Sequence, residues 1–478
     1  MMRTFPKTNY MAAVCLLAVP LAGCVVGPDF ERPALPAGAD VRPPDLRLQT
    51  GGLEMPDRWW TLFGSPKLDA VIERALAQNP DIEAAQASLR RARAQARIDR
   101  AALFPTVDAA YDVNRQKNPE VLASPLTDES NLFTTHTARL DFAYTLDLFG
   151  GARRQLESSR ALAEEQRQQL RAARLTLAAN VAVAAIEEAS LRARIDALRE
   201  TVAGSERALG IVRAQARAGQ VAPSDVLAQE TALAAAQAEL APLEKELRTV
   251  RNRLAILAGG YPNQPIPETF TFADLTLPSA LPATVASDLL VRRPDIRAAE
   301  ARLHAAGAQV GVAVAATLPS ITITGSAGSQ SQTFGDLFSQ PNLLWTVTSG
   351  LAAPIFRGGA LRAQARAARA DYDLAGAEYR AAVRDAFQGT ADALIALEED
   401  ARFLRIAEHA AEAAARNLAV VRSRRQLGAA DAVEVIVAEQ ADREAAVQLN
   451  EARGAQYTNI VGLLQALGGG WAAGRETS

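Results

Sequence analysis

Charged side chains able to do chemistry collect around two glycines. Asp225 lies six positions after Gly219; Asp431 and Glu434 follow Gly428, and Arg422, Arg424 and Arg425 precede it. Two kinds of chemistry fit this arrangement. Carboxylates just past a turn favour the positive N-terminal end of the helix that starts there. Carboxylates set around a shared axis would instead form a ring that favours cations and repels anions. The arginines would then pair with the acids, solvate a hairpin tip or contact another protein. Enzyme chemistry finds no support, because His136, His304 and His409 are scattered and no HExxH, nucleophile elbow or phosphate-cradling loop occurs. His136 reads as part of the loop ahead of a strand, and the other two lie on helices. No catalytic residue, metal site or soluble cofactor is expected.

Cys24 carries a different chemistry. Arg3 and Lys7 precede the apolar run 11–21, which ends in Leu21-Ala22-Gly23-Cys24, a secretory signal whose last residues resemble a bacterial lipobox. In such a signal the cysteine thiol takes a diacylglycerol and the new N-terminus an acyl chain such as palmitate, an anchor rather than a span. Val25 at the second mature position favours the outer over the inner membrane by resemblance to lipoprotein sorting. Cys15 would leave with the signal, so no disulfide or cysteine metal site remains. A net charge of −3 gives no reason to propose nucleic acid.

The elements that position these groups come in two copies. Asn79-Pro80-Asp81-Ile82 opens a helical stretch that ends at Phe104-Pro105, and Arg293-Pro294-Asp295-Ile296 opens another that ends at Leu318-Pro319. Downstream, Val212-Arg213, Gly219, Val226 and Glu230 recur as Val421-Arg422, Gly428, Val435 and Glu439. From Gly151 to about Arg217 no proline occurs, which predicts a rod of roughly 100 Å. Leu170, Leu177, Val181, Leu191, Ile195, Leu198, Leu209 and Val212 form its coiled-coil seam. The second copy repeats the seam through Val383, Phe387, Leu394 and Leu397. Alanine covers much of the rest, so these helices suit either an isolated coiled-coil hairpin or the staves of a tube.

Inside each copy lies an insert with period-two alternation. Val107, Ala109, Tyr111 and Val113, then Leu140, Phe142, Tyr144 and Leu146, alternate with polar residues; Ile321 and Ile323, then Trp345, Val347 and Leu351, do the same. These are strands of bilayer-crossing length. Four strands cannot close a barrel, and open edges would carry unpaired backbone groups into lipid at several kilocalories each, so copies of the chain must share one. Two copies give eight strands and three give twelve, and the residues do not choose between two, three and four copies. Trp59-Trp60 ends a proline-rich stretch and would pin it to a groove.

The resulting organisation is a signal peptide over 1–23, a lipid-anchored extended tether over 24–65 and a first repeat over 66–258 with its hairpin at about 105–148. A linker over 259–283, a second repeat over 284–467 with its hairpin at about 319–355, and a flexible tail over 468–478 complete it.

From the run Trp59-Trp60-Thr61-Leu62-Phe63-Gly64-Ser65-Pro66-Lys67-Leu68 through Asn79-Pro80 and Pro354-Ile355-Phe356-Arg357-Gly358-Gly359 to Gly428, the order and spacing resemble the outer membrane factor family, the TolC-like exit ducts. The lipoprotein branch, with OprM-like and CusC-like members, is the nearest likeness. The resemblance implies a mainly α fold with a small β part, in which a trimeric α-barrel continues into a 12-stranded transmembrane β-barrel. It implies a homotrimer in outer-membrane lipid, a periplasmic adaptor (membrane fusion) protein and an inner-membrane pump of the resistance-nodulation-division (RND) class. Function would be passive efflux, and the gate would lie at the periplasmic hairpin ends, with Glu434, Asp431, Asp225, Arg422 and Arg425 as candidates. Family members carry acids six and nine positions beyond the turn glycine, here Glu434 and Val437, so a strict double carboxylate ring is missing. Other readings are a structural coiled-coil envelope lipoprotein without a pore, a type I secretion duct, and a secreted hydrolase.

Overall fold

The computed structural model describes residues 25–34, 56–119, 131–278 and 292–469. The signal peptide, Cys24 and most of the tether lie outside them. The helices are α1 (Pro66–Gln78), α2 (Pro80–Ala101), α3 (Gly151–Arg217), α4 (Pro223–Leu257), α5 (Pro294–Ala315), α6 (Ala360–Gln426) and α7 (Ala432–Ala466). The strands are β1 (Thr106–Lys117), β2 (Leu132–Leu146), β3 (Ser320–Ser331) and β4 (Leu343–Ala352). Duplication shows in the lengths: α2 and α5 have 22 residues each, α3 and α6 have 67, and α4 and α7 have 35. Two compact units interleave along the chain, one built from Arg90–Glu165 and Glu300–Glu378 with the N-terminal segment, the other from the remainder.

The first unit holds the sheet, whose order is β1-β2-β3-β4 with every neighbour antiparallel. The register puts Val107 opposite Phe142, Phe142 opposite Gly325, and Gly325 opposite Val347. Side chains opposite one another share a face. One face therefore carries Val107, Tyr111, Val113, Leu140, Ile323, Trp345, Val347 and Leu351. The other carries Asp108, Asp112, Arg139, Asp141, Thr322, Thr324 and Thr346, with Arg139 bonded to Asp141 at 2.9 Å and paired to Asp112 at 3.4 Å. The apolar face is bare: Val107, Leu140, Trp345, Val347 and Leu351 are 55–78% exposed. One expectation fails, because His136 lies within β2, paired with Val113, and not in the preceding loop. Thr134, Thr135 and Thr137 around it carry no polar-apolar period, yet their branched side chains suit an extended ladder.

In the second unit the seam of α3 is buried, Ile195 and Leu191 at 2% exposure and Val181 at 0%. Antiparallel α4 lies along one flank of α3, through Glu188 to Arg251 at 2.7 Å, Arg199 to Glu244 at 2.8 Å and Arg213 to Glu230 at 2.6 Å. The other flank meets α7, where Arg194 pairs with Glu451 at 2.9 Å and the Arg443 guanidinium fills the space over Gly204. A helix with a neighbour on each flank is not half of an isolated hairpin. Helix α6 pairs with α7 through Arg422 and Glu439 at 3.0 Å, while Ile395, Phe403, Ile406 and Val420 on it stay 47–60% exposed.

Trp59 and Trp60 belong to the same core, 1% and 7% exposed, in a 3₁₀ turn Trp59–Phe63. Phe63 packs near Tyr457 at 6.2 Å between ring centres, and the Tyr457 hydroxyl donates to the Leu275 carbonyl at 3.0 Å. The two repeats start alike. The Asn79 side chain donates to the Leu257 carbonyl at 3.1 Å, and Arg293 donates to the Ala466 carbonyl at 2.6 Å, so each repeat grips the end of its own returning helix.

Candidate functional site

Both long hairpins turn the same way. Gly219 (φ 73°) and Gly428 (φ 74°) adopt the left-handed conformation. Gln220 N donates to Gln215 O at 2.9 Å, and Ala429 N to Arg424 O at 2.8 Å. This closes each long helix in the same 6→1 bond, a geometry that glycine adopts without steric cost.

The acidic candidates begin the returning helices. Asp225 accepts from the Ala222 backbone N–H at 3.0 Å at the start of α4. Asp431 is the N-cap of α7 and accepts from Glu434 N at 2.7 Å. The Glu434 carboxylate reaches across the tip to Arg424, 3.1 Å away, and Arg424 also donates to Ala429 O at 2.8 Å. Arg422 is bonded to Glu439, and the Arg425 side chain is exposed. The tip thus brings Asp431, Glu434 and Arg424 together and leaves Arg425 apart. Leu418, Val421 and Ala438 bury a small core beneath it.

Glu439 was not among the sequence candidates, although the duplication pointed to it. Arg213 and Glu230 in the first hairpin and Arg422 and Glu439 in the second form equivalent cross-hairpin bonds of 2.6 and 3.0 Å. Arg443 adds a second bond to Glu439 at 2.8 Å. Burial opposes ionisation of Glu439, but its bonds to Arg422 and the charge of Arg443 outweigh it, so its pKa lies below the usual 4.5. A depressed carboxylate stabilises the fold above its unfolded value and loses that contribution as pH falls through the folded one. The second hairpin is therefore expected to loosen on acidification below about pH 4.5, and Glu439→Gln to flatten that acid limb. Thermal unfolding across pH 3–6 measures both.

At the near end of the sheet, residues 25–32 are strapped to the first unit. Val26 N donates to Phe149 O at 3.1 Å, and Arg154, 4% exposed, bonds to Asp29 at 2.8 Å and to Val26 O at 3.1 Å. Phe30 stacks on His304 with 4.3 Å between ring centres, and His304 Nε2 lies 2.8 Å from Glu157. Burial raises and the His304 and Arg154 bonds lower the Glu157 pKa, with a net fall.

Among the described residues no cluster of His, Cys, Asp or Glu is placed to hold a metal, and no helix is long and apolar enough to cross a membrane. Residues 71–260 and 285–469 match the family described as outer membrane efflux protein, one copy of the match on each repeat. The chain belongs to that family. Like its fellow members, this outer membrane efflux protein works at the outer membrane of Gram-negative cells as the channel component of an efflux system. It is 34% identical over 433 residues to the pyoverdine export outer membrane protein OpmQ of Pseudomonas putida, covering 88% of this chain and 90% of OpmQ. It is 31% identical over 477 residues to the probable efflux pump outer membrane protein TtgC of Pseudomonas putida, covering 97% and 96%. The open state of the Neisseria gonorrhoeae MtrE outer membrane channel superposes with a TM-score of 0.83 at 28% identity, covering 94% of this chain and 98% of that one.

Proposed function

We propose that three copies of this efflux protein close a twelve-stranded barrel above a tube of helices. The assembly is a passive exit duct for a periplasmic adaptor and an inner-membrane pump of the RND class. The observation that carries this reading is the sheet: among the described residues it has four strands, edges at β1 and β4 without a partner strand, and one exposed apolar face. Edges in hydrocarbon must pair, and twelve strands leave room for a water-filled lumen. The exposed flank of α6 supports the same assembly, since it offers a neighbouring copy an apolar seam. An envelope brace without a pore has no use for a bare apolar sheet. Exposed Leu427, Val433 and Val437 at the second hairpin tip, with Leu227 at the first, suit an adaptor surface.

Cysteines placed near the ends of the two edge strands, Val107→Cys with Leu351→Cys, are expected to give a covalent trimer on oxidation. Reconstitution in planar bilayers should then show stepwise conductance. Monomers without conductance overturn the duct.

Cys24 lies outside the described residues, and we assign it the acyl anchor. Val25 packs against Gly150, four residues past the end of β2, which brings the N-terminus to the near rim of the sheet, where acyl chains enter lipid. The gate is assigned to the second hairpin tip, with Glu434 repeated three times about the axis and held by Arg424. Such an exposed ion pair is worth about 0.2–1 kcal/mol. Arg424→Ala is therefore expected to leave folding intact but to raise cation selectivity, read as a larger reversal potential in a KCl gradient. An unchanged potential removes Glu434 from the permeation path.

A further inference from the structure

The apolar face of the sheet ends in cations. On β1 the positions after Tyr111 and Val113 on that face are Arg115 and Lys117, opposite Thr134 and Leu132 of β2. Both are exposed, and neither takes part in an ion pair among the described residues. Below them on the same face, Tyr111 and His136 form with Phe334 an aromatic cluster with ring centres 6.1–6.3 Å apart. The Tyr111 hydroxyl and His136 Nδ1 are 2.8 Å apart, within hydrogen-bond reach. The charged groups Asp108, Asp112, Arg139 and Asp141 occupy the opposite face. From Val107 to Lys117 an extended strand runs about 34 Å, or about 26 Å along the membrane normal at a typical tilt, while the apolar band of such barrels is about 25 Å tall. Val107 sits at the helix-side end, so Lys117 emerges at the far boundary, where the outer-leaflet headgroups lie, and Arg115, about 21 Å along the normal, reaches it with its long side chain.

An unpaired cation at a hydrocarbon boundary is stabilised by an anionic headgroup, and aromatic rings below it offer acyl chains an apolar surface. Resting on the barrel reading, we propose that Arg115 and Lys117, with the Tyr111–His136–Phe334 cluster as platform, bind the phosphates of a phosphorylated glycolipid of the outer leaflet. Its acyl chains lie along the face of Val113, Val107 and Leu140. Two charge-assisted contacts and an apolar shelf make this a specific lipid site and not general wetting by the bilayer.

The test titrates purified full-length protein in nonionic detergent with bis-phosphorylated lipid A, with phosphatidylcholine and with inorganic phosphate. Native mass spectrometry gives the affinities. Lipid A is expected to bind at least about tenfold tighter than phosphatidylcholine, and Arg115→Gln/Lys117→Gln to remove most of that preference. Arg115→Lys/Lys117→Arg, which keeps both charges, should retain it, and so should Arg139→Gln on the opposite face. Inorganic phosphate at millimolar levels should not displace the lipid. Equal affinities in the wild type, undiminished preference in the neutral double variant, or displacement by inorganic phosphate overturns the site. Bilayer conductance of the same preparations separates the two readings. Wild type that conducts without preferring lipid A refutes the lipid site alone, and wild type that neither trimerises nor conducts refutes the barrel and the site with it.

Discussion

Val347→Arg is expected to abolish assembly in the outer membrane, whereas Thr346→Arg, one residue away, is expected to be tolerated. Val347 lies mid-strand on the apolar face of β4 and is 70% exposed in the single chain. An arginine facing lipid near the bilayer centre costs about 2–4 kcal/mol, and in a trimer it is met three times. Thr346 faces the polar side, opposite Ser326, which is itself opposite Asp141, where a guanidinium stays hydrated. Membrane fractionation and trimer yield read the difference. Equal yields would mean that the two faces are assigned the wrong way round.

Glu188→Ala should be the most damaging change in the helical wall. Glu188 is 0% exposed, and its Oε1 accepts from Arg192 at 2.7 Å and from Arg251 at 2.7 Å. Arg251 also donates to Ile266 O at 2.9 Å and Glu268 O at 3.3 Å, so one carboxylate joins α3, α4 and the segment that follows α4. Removing it leaves two guanidinium groups beside a void, a loss of about 3–5 kcal/mol for a broken buried pair. Glu188→Gln keeps the shape and one acceptor, and should cost about 1–3 kcal/mol. Circular dichroism of the two variants on heating gives the order; an alanine variant that melts with the wild type would show that the pair contributes nothing.

Local pattern made most of the elements legible. Alternation at Val107–Val113 and Leu140–Leu146 gave strands because one face meets a single kind of environment, and the proline-free run from Gly151 gave a helix that ends at Arg217 as expected. Turn glycines marked both tips because a left-handed residue ends a helix in the same way wherever it occurs. Neighbour relations were hidden. The pairing of β2 with β3, such as Tyr144 with Ile323, joins residues from different repeats, and nothing within either strand names its partner. His136 was misplaced because threonines around it carry the strand without carrying a period. At the tip Arg424 and Arg425 are consecutive in sequence, but helical geometry turns one about 100° from the other. Arg424 therefore meets Glu434 while Arg425 faces elsewhere, a choice visible only in three dimensions.

The two unpaired strand edges have a consequence for biogenesis. A newly exported subunit carries bare backbone donors and acceptors along β1 and β4 beside an oily surface, the combination that seeds cross-strand aggregation. On the proposed assembly the correct partners are other newly made subunits, so maturation would accelerate steeply as synthesis rises. Scarce expression leaves orphans exposed to periplasmic proteases, and a sudden burst of synthesis outruns orderly closure and leaves insoluble protein.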